Sequence, residues 1–314
     1  MDESPDFDRL LGNYTKFGAR LKHIDYDTKS CGDRVEVRSS YISFRDDKPT
    51  FDEFVDAVSD LLITFCLPRK ELKEASEITK TGTIQEASIE FQRLSTKARE
   101  LFMAARKGSH RSGEGGEIVL YLLNEWILRA PQIVSKMYLK TNKNMPVFGT
   151  DGIHAAFDES NNRLLLYWGE SKAHATLEGA TSSALKSIKG FLEKAQEKRE
   201  IEIVKDHYDL EGLSDAAINA IKEYLNPYSE QSNQRVAIFS CLLMYSSPTD
   251  STLALSESEQ IDAFKSATEG FISTIIKDIS ANGLISTRFE FFLLPVPDVQ
   301  DFRDKFQSKL GWPK

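Results

Sequence analysis

The spacing of apolar residues divides the chain into segments of different period. From Phe51 to about Lys107, Phe54, Val55, Val58, Leu61 and Leu62 recur three and four apart, and a second such run covers 84–105. Both predict amphipathic helices, interrupted at Pro68 and Gly82. Ahead of them, alternation over 34–44 predicts a strand. The segment 117–128 is apolar on nearly every side, which predicts a helix buried over most of its circumference and stopped by Pro131. Three strand-like stretches follow, at 133–139, 151–157 and 163–172. The polar run 158–162 between the last two predicts the turn of an antiparallel hairpin. Leu177, Ala180, Ala184, Leu185, Ile188, Phe191 and Leu192 then share one helical face. A polar, partly helical insertion over 200–233 precedes a strand at 235–245, a helix at 257–281, a strand at 287–294 and a short last helix. Strands alternating with long helices predict an α/β sheet covered on both faces.

Composition narrows the class. The chain has 314 residues, 40% of them hydrophobic, enough to build a core and to exclude disorder as the default state. Its acidic start, MDESPDFD, lacks the basic and apolar regions of a signal peptide. The longest near-continuous apolar run, 236–245, is ten residues, about half of the roughly 20 that a membrane span needs. Cys31, Cys66 and Cys241 form no pair at metal or disulfide-framework spacing. A cytoplasmic protein without membrane contact is the expectation. The net charge of −8 argues against a general nucleic-acid coat protein. Locally the balance differs: over 103–145, seven basic residues (Arg106, Lys107, Arg111, Arg129, Lys136, Lys140, Lys143) face three acidic ones, a window of +4.

Candidate chemistry gathers at the ends of the predicted elements. Glu114 and Glu117, three residues apart, open the apolar helix and can project from one side. Asp151 stands at the start of one predicted strand. Glu170 and Lys172 share a face at the end of the next, with Ser171 on the other. An apolar strand that ends in Glu-x-Lys buries two charges unless they serve each other or a ligand. Converging carboxylates suit Mg²⁺ or a similar hard divalent ion, which stabilises charge on a phosphodiester and acidifies a bound water. The Lys172 ammonium is then placed to orient or deprotonate that water, or to neutralise the transition state.

Glu117 on a helix, Asp151, and Glu170-x-Lys172, in the order helix, strand, strand, strand, resemble the PD-(D/E)xK nuclease superfamily, with its α-β-β-β-α-β core. Within it, the strings GEGGEIVLYLLNEWIL, FGTDGIHAAFD and LLLYWGESKAH are similar to the HamA-like nuclease subunits of the Hachiman antiphage defence system. The motif-bearing resemblance covers about residues 110–195. It implies a restriction-endonuclease-like domain over 108–314 carrying a C-terminal α/β extension, preceded by a strand-and-helix region over 1–107 that either docks a partner or packs on the sheet. It implies Asp151, Glu170 and Glu117 as metal ligands, Lys172 as the catalytic lysine, and Mg²⁺ as cofactor with Mn²⁺ as a substitute. It also implies DNA as substrate and a superfamily 2 helicase subunit (HamB-like) as the controlling partner. The sequence departs from the eponymous motif at Thr150, where a proline often precedes the aspartate. A catalytically silent subunit of a helicase complex and a stand-alone restriction-like endonuclease are the alternatives.

Context carries these assignments. Glu71-Leu72-Lys73 repeats the Glu-x-Lys string in a polar helical region and reads as a solvated face. Glu114 either joins the site or only complements the helix dipole. His174 either lies on the Glu170 face or opens the next loop. His154 reads as a packed histidine, and His23, His110 and His207 show no metal-ligand spacing. No Gly-Lys-Ser/Thr follows the GEGG run, which excludes a phosphate-loop NTPase, and no Gly-x-Ser-x-Gly elbow is present.

Overall fold

A computed structural model describes residues 5–24, 33–105, 113–139, 149–193, 196–246 and 255–311. After a 3-10 turn at Phe7–Leu10 come α1 (Thr15–Gly18), β1 (Leu21–Ile24), β2 (Val35–Ile42), and the two-residue strands β3 (Phe44–Arg45) and β4 (Lys48–Pro49). Four helices follow: α2 (Phe51–Ser59), α3 (Leu62–Cys66), α4 (Arg69–Thr81) and α5 (Ile84–Ala105). The central part is α6 (Glu114–Trp126), β5 (Gln132–Val134), α7 (Lys136–Leu139), β6 (Gly152–Asp158), β7 (Arg163–His174) and α8 (Leu177–Glu193). The rest is α9 (Gln196–His207), α10 (Asp215–Leu225), β8 (Arg235–Ser246), α11 (Glu257–Ala281), β9 (Phe289–Val296) and α12 (Val299–Lys309).

One mixed sheet of seven strands, ordered β1-β2-β9-β8-β7-β6-β5, organises the molecule. β5, β6 and β7 form an antiparallel meander, and β7, β8, β9 and β2 run parallel. Parallel strands need both faces covered, and both are. On one face, Leu164, Leu166 and Trp168 of β7 pack with Ala180, Leu185 and Phe191 of α8 and Phe271 and Ile275 of α11. On the other, Leu242 and Met244 of β8 meet Ile118 and Leu122 of α6, Phe54 of α2, Phe102 of α5 and Phe302 of α12. The N-terminal region is woven into this body, because β2 joins the sheet beside β9 with Val35 opposite Phe289. The polar stretch after α8 also contributes to the core, through Ile203 and Val204 of α9 and Ile221 and Leu225 of α10.

The hairpin of β6 and β7 forms as its pattern predicts, in register from Gly152↔Gly169 to Asp158↔Arg163. The strand expected over 133–139 does not. Pairing stops at Val134 after a register shift, and residues Lys136–Leu139 turn into α7. The physical cause is Lys136, which enters the interior to meet Glu200. The sheet's expected α/β class therefore holds, with one strand shortened.

Candidate active site

The β6–β7 register sets the first contact of the site. Gly152 lies opposite Gly169, so Asp151, one residue before β6, lies opposite Glu170. The Asp151 N–H donates to Gly169 O at 2.7 Å, which extends the ladder by one residue. The Ser171 N–H donates to Asp151 Oδ2, also at 2.7 Å. Asp151 is thereby fixed to the backbone of the strand that carries Glu170 and Lys172. Alternation sends Glu170 and Lys172 to the α8 face and Ser171 to the α6 face. There a Cβ on Gly116 would come within 2.5 Å of Ser171 Oγ. A side chain at 116 would have to displace the Ser171 hydroxyl, so glycine suits the close approach of the first turn of α6 to β7.

The electrostatics follow from this placement. Glu170 is buried and pairs with Lys172 Nζ through Oε1. Burial and the nearby Asp151 charge outweigh Lys172 and a hydrogen bond with Ser187, raising the Glu170 carboxyl from 4.5 to about 7. Burial opposes the charge on Lys172, yet Glu170 and Asp151 more than offset it, so its pKa rises. Lys172 thus stands as an ammonium ion between two carboxyl groups. Cys241, opposite Glu170 on β8, has its thiol pushed well up by burial and by Glu170, and stays protonated. A cleft of about 450 Å³ opens beside these groups, lined by Thr150, Glu170, Lys172, Ser183, Lys186, Ser187 and Gln196 among others.

A buried ion pair supports the turn that delivers Asp151. Lys136 Nζ lies 2.7 Å from Glu200 Oε2, with side-chain exposures of 2% and 1%. The same ammonium donates to Thr150 O at 2.7 Å and Thr150 Oγ1 at 2.9 Å. Gly149 has φ +138°, and a Cβ there would meet Glu200 Oε1 at 2.0 Å. Three segments distant in sequence, α7, α9 and residues 149–151, are locked at one point. Nothing in the sequence pattern announces either member of the pair: Lys136 is one of the basic residues of the 103–145 window, and Glu200 falls in a polar run.

A family model, HamA, matches residues 18–310, nearly the whole chain and every residue named above for the site. The chain belongs to the HamA family. It is a HamA-like Hachiman protein, which places it in antiphage defence. No curated protein matches it in sequence.

In this HamA-family chain the remaining candidates fall in different places. Glu117 sits in the first turn of α6, half-buried, on the Ser171 side of β7 rather than the Glu170 side. Glu114 opens the same helix, and its side chain lies outside the described residues. Among the described residues no three Asp, Glu, His or Cys side chains gather as a metal-binding group. The structure brings together Asp151, Glu170 and Lys172, and adds Lys186 and Ser187. β7 continues through His174, which lies on the α8 face with its ring beside Gly179. His154 is buried and donates from Nδ1 to Ala130 O at 2.9 Å; burial lowers its pKa to about 3, so it is a neutral packed ring. Of the basic window, Arg106, Lys107, Arg111, Lys140 and Lys143 lie outside the described residues, as do Cys31 and His110. No helix among the described residues is long and apolar enough to cross a membrane.

Proposed function

We propose that the chain is a Mg²⁺-dependent deoxyribonuclease, with Mn²⁺ as a substitute ion, acting as the effector subunit of its defence system under the control of a superfamily 2 helicase partner. The observation that carries this reading is the gathering of Asp151, Glu170 and Lys172 where β6 begins beside β7, with Glu170 and Lys172 lining one cleft and the Glu170 carboxyl raised to about 7. A carboxyl whose charge is opposed first by burial and then by a neighbouring negative charge marks a place where added positive charge is favourable. Two carboxylates are enough for Mg²⁺, which keeps waters and takes further oxygens from a phosphate. The order of α6, β5, β6, β7, α8 and β8 adds support for the PD-(D/E)xK assignment.

In this mechanism Asp151 and Glu170 would hold the ion, and Mg²⁺ bound there would supply Lewis-acid stabilisation of the phosphodiester and a more acidic water. Asp151 is pre-oriented by the Ser171 N–H, so little reorganisation is needed when a ligand arrives. Ser187 helps hold Glu170. Lys172, an ammonium ion with a raised pKa, acts in charge neutralisation and water orientation rather than as a base. Lys186, which lines the same cleft, offers a second cation to the phosphate.

The test is Mg²⁺-dependent cleavage of plasmid DNA by the chain co-purified with its partner. Lys172→Met and Glu170→Gln are expected to abolish cleavage while retaining the folded state and the partner. Undiminished cleavage by either variant overturns the reading. A catalytically silent subunit is favoured by one observation: among the described residues no three Asp, Glu, His or Cys side chains gather as a metal-binding group. That reading expects no metal-dependent cleavage from the wild-type pair. A stand-alone endonuclease expects full activity without any helicase.

A further inference from the structure

A second cavity, of about 330 Å³, lies on the same sheet face at the N-terminal ends of β8, β9 and β2. Arg34, Arg235 and Arg288 line it, with Glu197 as its one acidic residue. Each guanidinium is steadied by a backbone carbonyl. Arg34 Nη1 donates to Ser286 O at 2.6 Å, Arg235 Nη1 to Tyr224 O at 3.2 Å, and Arg288 Nη1 to Asp33 O at 3.4 Å. These anchors are neutral, so they orient the forks without compensating their charge, and a guanidinium has five N–H donors. Trp168 lines the same cavity. Its indole Nε1–H is buried and has no acceptor among the described residues. An unpaired buried donor beside three cations calls for an anion with several acceptor oxygens.

The position of the cavity identifies that anion. Phe191 and Phe239 line both this cavity and the cleft of Glu170 and Lys172. On β8, Phe239 is two residues from Cys241, the partner of Glu170, about 7 Å along the strand. A DNA strand carries a phosphate about every 3.4 Å along the duplex axis, so one that places a phosphate at Lys172 reaches the arginines within a few nucleotides. We propose that Arg34, Arg235 and Arg288 form a second phosphate subsite for the nucleic-acid strand being cut. This rests on the nuclease reading, and it assigns the chain itself a part in holding the strand.

The experiment measures binding without cleavage. Fluorescence anisotropy of a labelled oligonucleotide is followed with the full-length chain in chelator, across a salt series, with inorganic phosphate as a competitor at constant ionic strength. Arg34→Gln combined with Arg288→Gln is expected to weaken binding about tenfold at low salt. The slope of log affinity against log salt should fall by about one, as for one lost phosphate contact. The corresponding lysine variants should keep most of the slope, and melting temperatures should stay close to wild type. Unchanged affinity and slope in the glutamine variant overturn the subsite. Arginine-dependent binding of inorganic phosphate, with no effect on the oligonucleotide, overturns it in favour of a free-anion site. Arginine-dependent oligonucleotide binding by a chain that never cleaves with its partner supports the subsite and sinks the nuclease reading instead.

Discussion

The Lys136–Glu200 pair offers the sharpest separation of stability from activity. Both side chains are essentially inaccessible, and their charged atoms lie 2.7 Å apart. Removing one charge from such a pair leaves the other buried and uncompensated, at a cost of about 3–5 kcal/mol. Unfolding entropy of about 2.1 cal/mol/K per residue over 314 residues converts this to a fall in melting temperature of about 5–8 °C. Glu200→Gln and Lys136→Met should each show it, by calorimetry or by urea denaturation at neutral pH. The double variant Lys136→Met/Glu200→Met removes both charges together, and replacing a whole pair with apolar residues is often neutral. It still strips Thr150 O and Oγ1 of their donor, worth about 1–3 kcal/mol. The double variant should therefore be more stable than either single one. Its cleavage should stay impaired, because the turn that presents Asp151 has lost its lock. Glu200→Gln within about 0.5 kcal/mol of wild type, or a double variant that cleaves at the wild-type rate, refutes the argument.

Two further outcomes follow from the site. The Glu170 carboxyl sits at about 7 against an ordinary 4.5, so the folded chain holds this proton more tightly than the unfolded one. Stability contributed by protonated Glu170 is lost as pH rises from about 4.5 to about 7. Denaturation in chelator should show that decline, and Glu170→Gln should flatten it; an unchanged pH profile in the variant counts against the assignment. Gly116→Ala would drive a Cβ to 2.5 Å from Ser171 Oγ but leave Ser171 Cβ at 3.7 Å. It should destabilise by about 1–3 kcal/mol, and Ser171→Ala should rescue it, since that hydroxyl has no hydrogen-bond partner among the described residues. Failure of the rescue would mean that α6 does not approach β7 as described.

The legible part of the site was the part written in strand period. An apolar run ending in Glu-x-Lys, beside a hairpin partner opening on Asp151, places three charged groups at one point by alternation alone. The same alternation sends Ser171 to the other face. The period misleads at 133–139, where apolar residues on both sides of Lys136 mimic a strand. A lysine is almost never fully buried, so Lys136 read as a surface charge, and nothing near it in sequence announces Glu200, 64 positions on. Glu117 is a different case: a helix-borne acid three residues past Glu114 gives no indication of which sheet face its helix will cover, because that depends on α8 and α6 taking opposite sides.

Charge was the least legible property, and for a physical reason. The 103–145 window counts Lys136 and Arg129 as free positive charge. In the folded chain Lys136 is held by Glu200, and Arg129 Nη2 lies 2.9 Å from Asp8 Oδ2. The cations that line the two cavities are Lys172, itself paired with Glu170, and Lys186, Arg34, Arg235 and Arg288, with Glu197 beside the arginines; they are drawn from β7, α8 and the starts of β2, β8 and β9. No window of sequence contains them together; parallel pairing of strands distant in the chain does. An overall charge of −8 is therefore compatible with a positive track along one sheet face. Because affinity for a polyanion grows steeply with the number of phosphates neutralised, five cations confined to two cavities on an otherwise acidic surface favour weak binding to DNA at large and firm seating only of a strand already delivered to the cleft. That is the electrostatic profile expected of the partner-controlled effector proposed above.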